Sequence, residues 1–256
     1  MKDTAHFIYR VEHQGQKKHV ICIGDTWSEL DGDLFAEYQV GQTIEREQFR
    51  ILAPVTPSKI VAVGLNYKDH AGEMNKPLPK VPLIFLKPST AVIGPGDPIA
   101  LPQGVGRVDY EAELGLVIRK KAYHVSSDDA LDYILGLTCV NDVTARELQR
   151  LDVQYTRAKG FDTFAPVGPA IAIGLDGREL SIEAWLNGTK CQSSNTRELI
   201  FSIGELVEFV SSVMTLNPGD IISTGTPSGV GPLCSGDTIV IKISGIGELE
   251  NSVQAG

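Results

Sequence analysis

The chain has 256 residues, 42% hydrophobic and 21% charged, an ordinary globular composition that excludes a mainly disordered or fibrous protein. Its 23 Lys and Arg against 32 Asp and Glu leave a formal charge of −9, which argues against a broad nucleic-acid-binding face. No apolar run approaches the roughly 18–20 residues of a membrane span, and the first residues lack a leader's apolar core. The expectation is therefore a cytoplasmic protein with no nucleic-acid and no membrane partner.

Gly 26 and Pro 14, without a fixed repeat, point to many turns and a β-rich fold. Cys22, Cys139, Cys191 and Cys234 are widely spaced and form no Cys-x-x-Cys pair. Reduced, mostly buried thiols are expected rather than a zinc site. In residues 1–54, Phe7–Arg10 and His19–Ile23 read as strands around the turn signal Gln14-Gly15. The segment holds His6, His13 and His19 without metal-ligand spacing, and reads as a small β-rich structural subdomain. Prolines at 54 and 57 mark the connector to the main domain, residues 55–256.

Lys59–Gly64 reads as a buried strand, and Asn66–Asn75 has helical spacing. Pro77, Pro79 and Pro82 break any helix before a strand over Leu83–Leu86. With Gly72 and few apolar side chains, residues 66–80 are expected to form a mobile lid. Glu111–Ile118 reads as a strand, Asp128–Leu135 as an amphipathic helix after Ser126-Ser127, and Thr138–Asn141 as a strand. A helix is expected over Thr144–Leu151. Asn187-Gly188 between strand-like runs predicts a hairpin. Ser202 and Glu205 form a capping-box pattern opening a helix with the face Leu206, Val207, Val210, Val213 and Met214. Ile221-Ile222 precedes the Gly-rich loop Thr224–Gly231, and Asp237–Ile243 is a closing strand. The pattern suggests an α+β, β-rich barrel or rolled sheet rather than a doubly wound one.

The chemistry concentrates in three places. In a strand, Glu111 and Glu113 project to one face, where like charges repel unless a hard divalent cation lies between them. The same pair also suits an exposed face screened by water. Asp142, at the end of an apolar strand, could complete a metal triad. His70 and Glu73, three apart on a helical turn, make either a proton-transfer dyad or a surface ion pair. The Gly-rich loop lacks the Gly-Lys-Ser/Thr ending of a P-loop, and the chain has no Gly-x-Ser-x-Gly elbow.

Six runs in order resemble the fumarylacetoacetate hydrolase family: Gly64–His70, Phe85–Thr90, Asp109–Leu114, Asn141–Arg146, Ala158–Asp162 and Thr224–Gly231. The resemblance covers residues 57–250, and residues 1–54 resemble the small N-terminal domain of bacterial members labelled 2-hydroxyhepta-2,4-diene-1,7-dioate isomerases. It implies a mixed β-roll catalytic domain, a homodimer, and one Mg2+ or Mn2+ held by Glu111, Glu113 and Asp142. His70 and Glu73 would be the dyad, and Lys159 the substrate-side lysine. Arg146, Gln149 and Thr226 would hold the substrate's carboxylate and oxo oxygens, and Lys87 lies near the site with its role open. The implied substrate is a small 2-oxo acid, turned over through a metal-stabilised enolate by acylpyruvate hydrolysis, oxaloacetate decarboxylation or isomerisation. A non-catalytic metal-dependent 2-oxo acid binding protein is the alternative.

Overall fold

The computed structural model describes residues 6–46, 49–75 and 77–256. Strands dominate them. One mixed sheet runs in the order Tyr38–Thr43, Thr26–Gly32, Gln16–Ile23, His6–His13, Ala165–Ile173, Ile134–Asn141, Ala112–Ile118, Ile221–Ser223, Lys59–Gly64, Leu83–Pro88. Its first four strands are consecutive hairpins from the N-terminal segment, joined to the rest by the pairing of His6–Ile8 with Ile171–Ile173. A second sheet orders Thr189–Asn195, Ser181–Leu186, Thr238–Ile243, Gly247–Ala255 and Ile99–Leu101. A small third sheet joins Thr144–Ala145, Val108–Tyr110 and Gly231–Pro232. The result is the expected strand-rich mixed β architecture.

Local chemistry accounts for the hairpins. Gln14 and Gly15 have φ of 50° and 77°, and Asn187 and Gly188 have 51° and 78°. Positive φ at both central residues matches the right-handed twist of the flanking strands, which is why Asn-Gly was diagnostic. The central strand Ala112–Ile118 is buried along its whole length, and its apolar side chains join those of Ile203–Val213 and Thr238–Ile243 in the main core. The helix Ile203–Val213 carries the full capping box, with Ser202 Oγ accepting from Glu205 N and the Glu205 carboxylate accepting from Ser202 N.

Several expectations are corrected. The region 128–135 is a 3-10 segment, Ser127–Tyr133, and Ile134 and Leu135 already belong to the next strand. Their apolar side chains suited a helix face as well as a strand, and tertiary pairing with Ile118 decided between them. Thr144 and Ala145 form a short strand, so the helix starts at Arg146 and ends at Asp152. Asn66–Asn75 shrinks to the helix Lys68–Glu73. Glu111 is not inside a strand but at the break between Val108–Tyr110 and Ala112–Ile118. Val213 is exposed and Met214 is extended, so the helix face is Leu206, Val207 and Val210. Cys22 and Cys139 are buried, whereas Cys191 is half-buried and Cys234 exposed; all four thiols are free. Among the described residues no helix is long and apolar enough to cross a membrane.

Candidate active site

Antiparallel pairing explains how residues 30 apart in sequence meet. Ala112 pairs with Asn141 and Glu113 with Val140, so Asp142 emerges beside Glu111. The junction is tied twice: Asp142 N donates to Glu111 O at 2.9 Å, and Glu111 N donates to Asn141 Oδ1 at 3.0 Å. Glu111, Glu113 and Asp142 are buried and each offers a carboxylate oxygen within 4.8 Å of the other two. The exposed strand face that could have explained Glu-x-Glu is therefore ruled out.

The loop after Ile221–Ser223 supports the third carboxylate. Ser223 Oγ donates to Glu113 Oε2 at 2.6 Å and Gly225 N donates to the same oxygen at 2.9 Å. Gly225 has φ +98°, and a Cβ there would lie 2.8 Å from Asn66 Cβ. Only glycine fits that backbone. Asn66 clamps the arrangement from the other side, donating to Thr224 O at 2.8 Å and accepting from Phe201 N at 2.8 Å.

Cations crowd the other two carboxylates. Lys159, at the end of the short helix Thr156–Lys159, donates to Glu111 Oε2 at 2.8 Å and Asp142 Oδ2 at 2.5 Å. Lys87 is fully buried and donates to Asp142 Oδ1 at 2.5 Å and Val143 O at 3.3 Å. Arg146 donates through Nε to Asp109 at 2.7 Å and through Nη1 to Gln149 Oε1 at 3.0 Å. Its Nη2 is 2.5 Å from Glu111 Oε1, an ion-pair distance without hydrogen-bond alignment. Arg107 closes the chain by chelating Asp109.

Charge is unevenly matched. Burial works against ionisation of Glu111, but Lys159 and Arg146 outweigh it and hold the carboxyl down at about 2. Glu113 shows the reverse: burial, then the charges of Asp142 and Glu111, push it well above the usual carboxylate range. Its bonded partners are a hydroxyl and an amide, both neutral. Burial lowers Lys87 despite Asp142, whereas Lys159, also desolvated, is raised by Asp142 and Glu111. A hard divalent cation in contact with all three carboxylates would supply the positive charge that Glu113 lacks, and the all-oxygen donor set suits such an ion.

These groups floor a cavity of about 350 Å³. His70, Arg146, Gln149, Lys159 and Thr226 line it with the three carboxylates, so eight of the nine expected site residues share one space. The ninth, Glu73, reaches it through His70, whose Nδ1 is 2.9 Å from Glu73 Oε2. Glu73 Oε1 also accepts from Gly229 N at 3.3 Å, and Asp69 takes Ser194 Oγ at 2.6 Å, fastening the helix Lys68–Glu73 beside the Gly-rich loop. Of the lid expected over 66–80, Lys76 lies outside the described residues; Gly72, Met74 and Leu78 are exposed. A cavity of about 480 Å³ between Ser127 and Gly204 is larger, but no buried charged side chain lines it.

Sequence reasoning missed part of the support. Gln192 is buried, accepts from Ala112 N at 2.9 Å and donates to Thr226 Oγ1 at 2.9 Å, fixing Thr226 against the central strand. Nothing in its local sequence marked it. Asp109 opens the run Asp109–Leu114, but its bridging of Arg107 and Arg146 depends on a contact 37 residues away.

Residues 59–254 match the fumarylacetoacetate (FAA) hydrolase C-terminal family. The mitochondrial oxaloacetate tautomerase of Rattus norvegicus is 43% identical over 222 residues, covering 82% of this chain and 71% of that protein. The structure of 2-hydroxyhepta-2,4-diene-1,7-dioate isomerase from Mycobacterium marinum is 41% identical with a TM-score of 0.91, covering 97% of this chain and 98% of that one. The maleylpyruvate hydrolase of a Sphingobium species, solved with manganese(II) and pyruvate, is 31% identical with a TM-score of 0.82, covering 98% and 99%.

Proposed function

The chain belongs to the fumarylacetoacetate hydrolase family, and from that premise we propose that it is a Mg2+- or Mn2+-dependent enzyme acting on small 2-oxo acids. The observation that carries the reading is the buried carboxylate triad, short of positive charge at Glu113, on the floor of a cavity that also holds His70 and Lys159. A divalent cation held by Glu111, Glu113 and Asp142 supplies Lewis-acid stabilisation of negative charge developing on a substrate oxygen.

The chain's own groups divide the remaining work. Lys159 keeps a buried ammonium beside that charge, and Arg146 and Gln149 orient the substrate's carboxylate. Thr226, fixed by Gln192, contacts the oxo group. Glu73 holds His70 by Nδ1, leaving Nε2 to take a proton from water in hydrolysis or to shuttle one in isomerisation. Decarboxylation needs no such base. Within this reading the protein is a cytoplasmic homodimer. The four free thiols support a reducing compartment, and Val81, Leu83 and Leu86, exposed on and beside the last strand of the main sheet, support a subunit contact.

The test is a substrate panel of oxaloacetate and acetylpyruvate after chelator treatment, with Mg2+ or Mn2+ restored. Metal-dependent turnover of either acid supports the reading. Metal-dependent binding without turnover of any acid would make the protein a 2-oxo acid binder instead.

A further inference from the structure

Three cationic side chains line the cavity above the triad: Lys159, Arg146 and Arg150. Lys159 is already paired with Glu111 and Asp142, and Arg146 with Asp109 and Glu111, beside the place where the substrate's head would sit. Arg150 forms no ion pair among the described residues, although it sits in an acidic chain of net charge −9. The acids on its own helix are turned elsewhere. Glu147 packs against Gly106, and Asp152 is chelated by Arg157.

Helix geometry sets where Arg150 stands. On the helix Arg146–Asp152, residues 146, 149 and 150 share one face, with neighbouring Cβ atoms about 5–6 Å apart. Arg146 contacts the buried triad, whereas Arg150, one turn on, is exposed at the mouth. The wall beside it is apolar and aromatic, with Phe85 and Tyr155 edge to face at 5.3 Å between centroids. A substrate anchored by its head at the triad would lay a short carbon chain along that wall and bring a second anionic group to an unpaired guanidinium.

We propose that Arg150 is a specificity-determining residue that binds the distal carboxylate of a 2-oxo dicarboxylic acid. The inference rests on the 2-oxo acid reading above and narrows it to substrates with two carboxylates. A guanidinium meets a carboxylate through two parallel N–H donors, so an unpaired arginine at the mouth selects a carboxylate over a methyl or hydroxyl end group.

The test compares 2-oxoglutarate with 2-oxopentanoate, which have the same chain length and differ in the distal carboxylate. Calorimetric binding to the Mn2+-loaded wild type, Arg150→Met and Arg150→Lys gives a readout independent of turnover. The wild type is expected to prefer 2-oxoglutarate by about 10- to 100-fold, the range of one charge-assisted pair. Arg150→Met should lower that preference to within about twofold by weakening 2-oxoglutarate, with Arg150→Lys between the two. In parallel, the KM for oxaloacetate should rise in Arg150→Met more than kcat falls. Equal binding of both acids by the wild type, or an unchanged preference in Arg150→Met, overturns the role of Arg150 alone. Binding of neither acid by any of the three proteins overturns the 2-oxo acid reading, and this inference with it.

Discussion

Asp220 and Glu113 are both buried carboxylates, 0% and 1% exposed, yet their surroundings do opposite things to them. Asp220 receives Ser58 N at 2.9 Å, Ser58 Oγ at 2.6 Å, Asn217 N at 2.9 Å and the ammonium of Lys59 at 2.5 Å. Burial alone would raise its carboxyl, but Lys59, Ser58 and Asn217 outweigh it and hold it below the usual range. Glu113 has two neutral donors and two carboxylate neighbours, and goes the other way. A buried carboxylate satisfied by its own surroundings ties strands together; one left short of positive charge marks a place for an ion.

The sharpest way to break that comparison is Glu113→Gln. Metal uptake and turnover should be lost together, with a rate loss on the order of 10³-fold or more, while the metal-free variant unfolds no more easily than metal-free wild type. Metal content by elemental analysis, initial rates and thermal unfolding of both apo proteins check this, and full metal occupancy in the variant would sink it. His70→Ala should cost ~10²–10⁴-fold in acylpyruvate hydrolysis at unchanged metal content, and less in oxaloacetate decarboxylation. Paired kinetics on the two substrates measure the split; equal losses would deny His70 its water-activating role.

Asp220→Ala should have the opposite signature to Glu113→Gln: metal binding retained, stability lowered by about 3 kcal/mol, because the Lys59 ammonium, the Ser58 hydroxyl and three backbone N–H groups lose their acceptor. Urea unfolding provides the number. The same pair differs in pH dependence. Asp220 has a depressed folded pKa, so its stabilisation is present above the unfolded value near 3.9 and is lost as pH falls through the lower folded value. Metal-free Glu113 has a raised folded pKa, so its contribution is greatest below about 4.3 and is lost as pH rises toward that folded value. Acid unfolding of Asp220→Asn should lack part of the wild-type acid loss, and metal-free Glu113→Gln should lack the opposite slope. The smallest effect concerns the segment carrying His70: oxalate with Mn2+ should raise amide protection over 68–75 by a few fold, and identical exchange with and without it would argue against a closing lid.

Elements that depend on local chemistry were legible in the linear chain. Turns with φ > 0 favour Gly and Asn, so Gly15 and Asn187-Gly188 marked both turns, although Gln14 also takes a positive φ. The capping box is a reciprocal bond over three residues, so Ser202 and Glu205 announced their helix. Glu111 and Glu113 were legible as neighbours because side chains two apart lean to one side of an extended backbone. Whether that side faced water or a core was not, because burial is set by strands at 134–141 and 221–223. Ile134 and Leu135 were misread for the same reason: a short apolar run suits either period until a partner strand pairs with it. Gln192 carries no local mark at all, and Lys87 and Asn66, although they lie in the family-like runs 85–90 and 64–70, carry no sign there of what they bond to. Their bonds span 34, 55 and 158 residues, and closing such loops is decided by the packing of the whole sheet. The sequence by itself determined the donor types and the turns; the tertiary structure alone decided that three carboxylates meet in a buried place with too little positive charge, because desolvation and charge proximity exist only once distant strands are side by side.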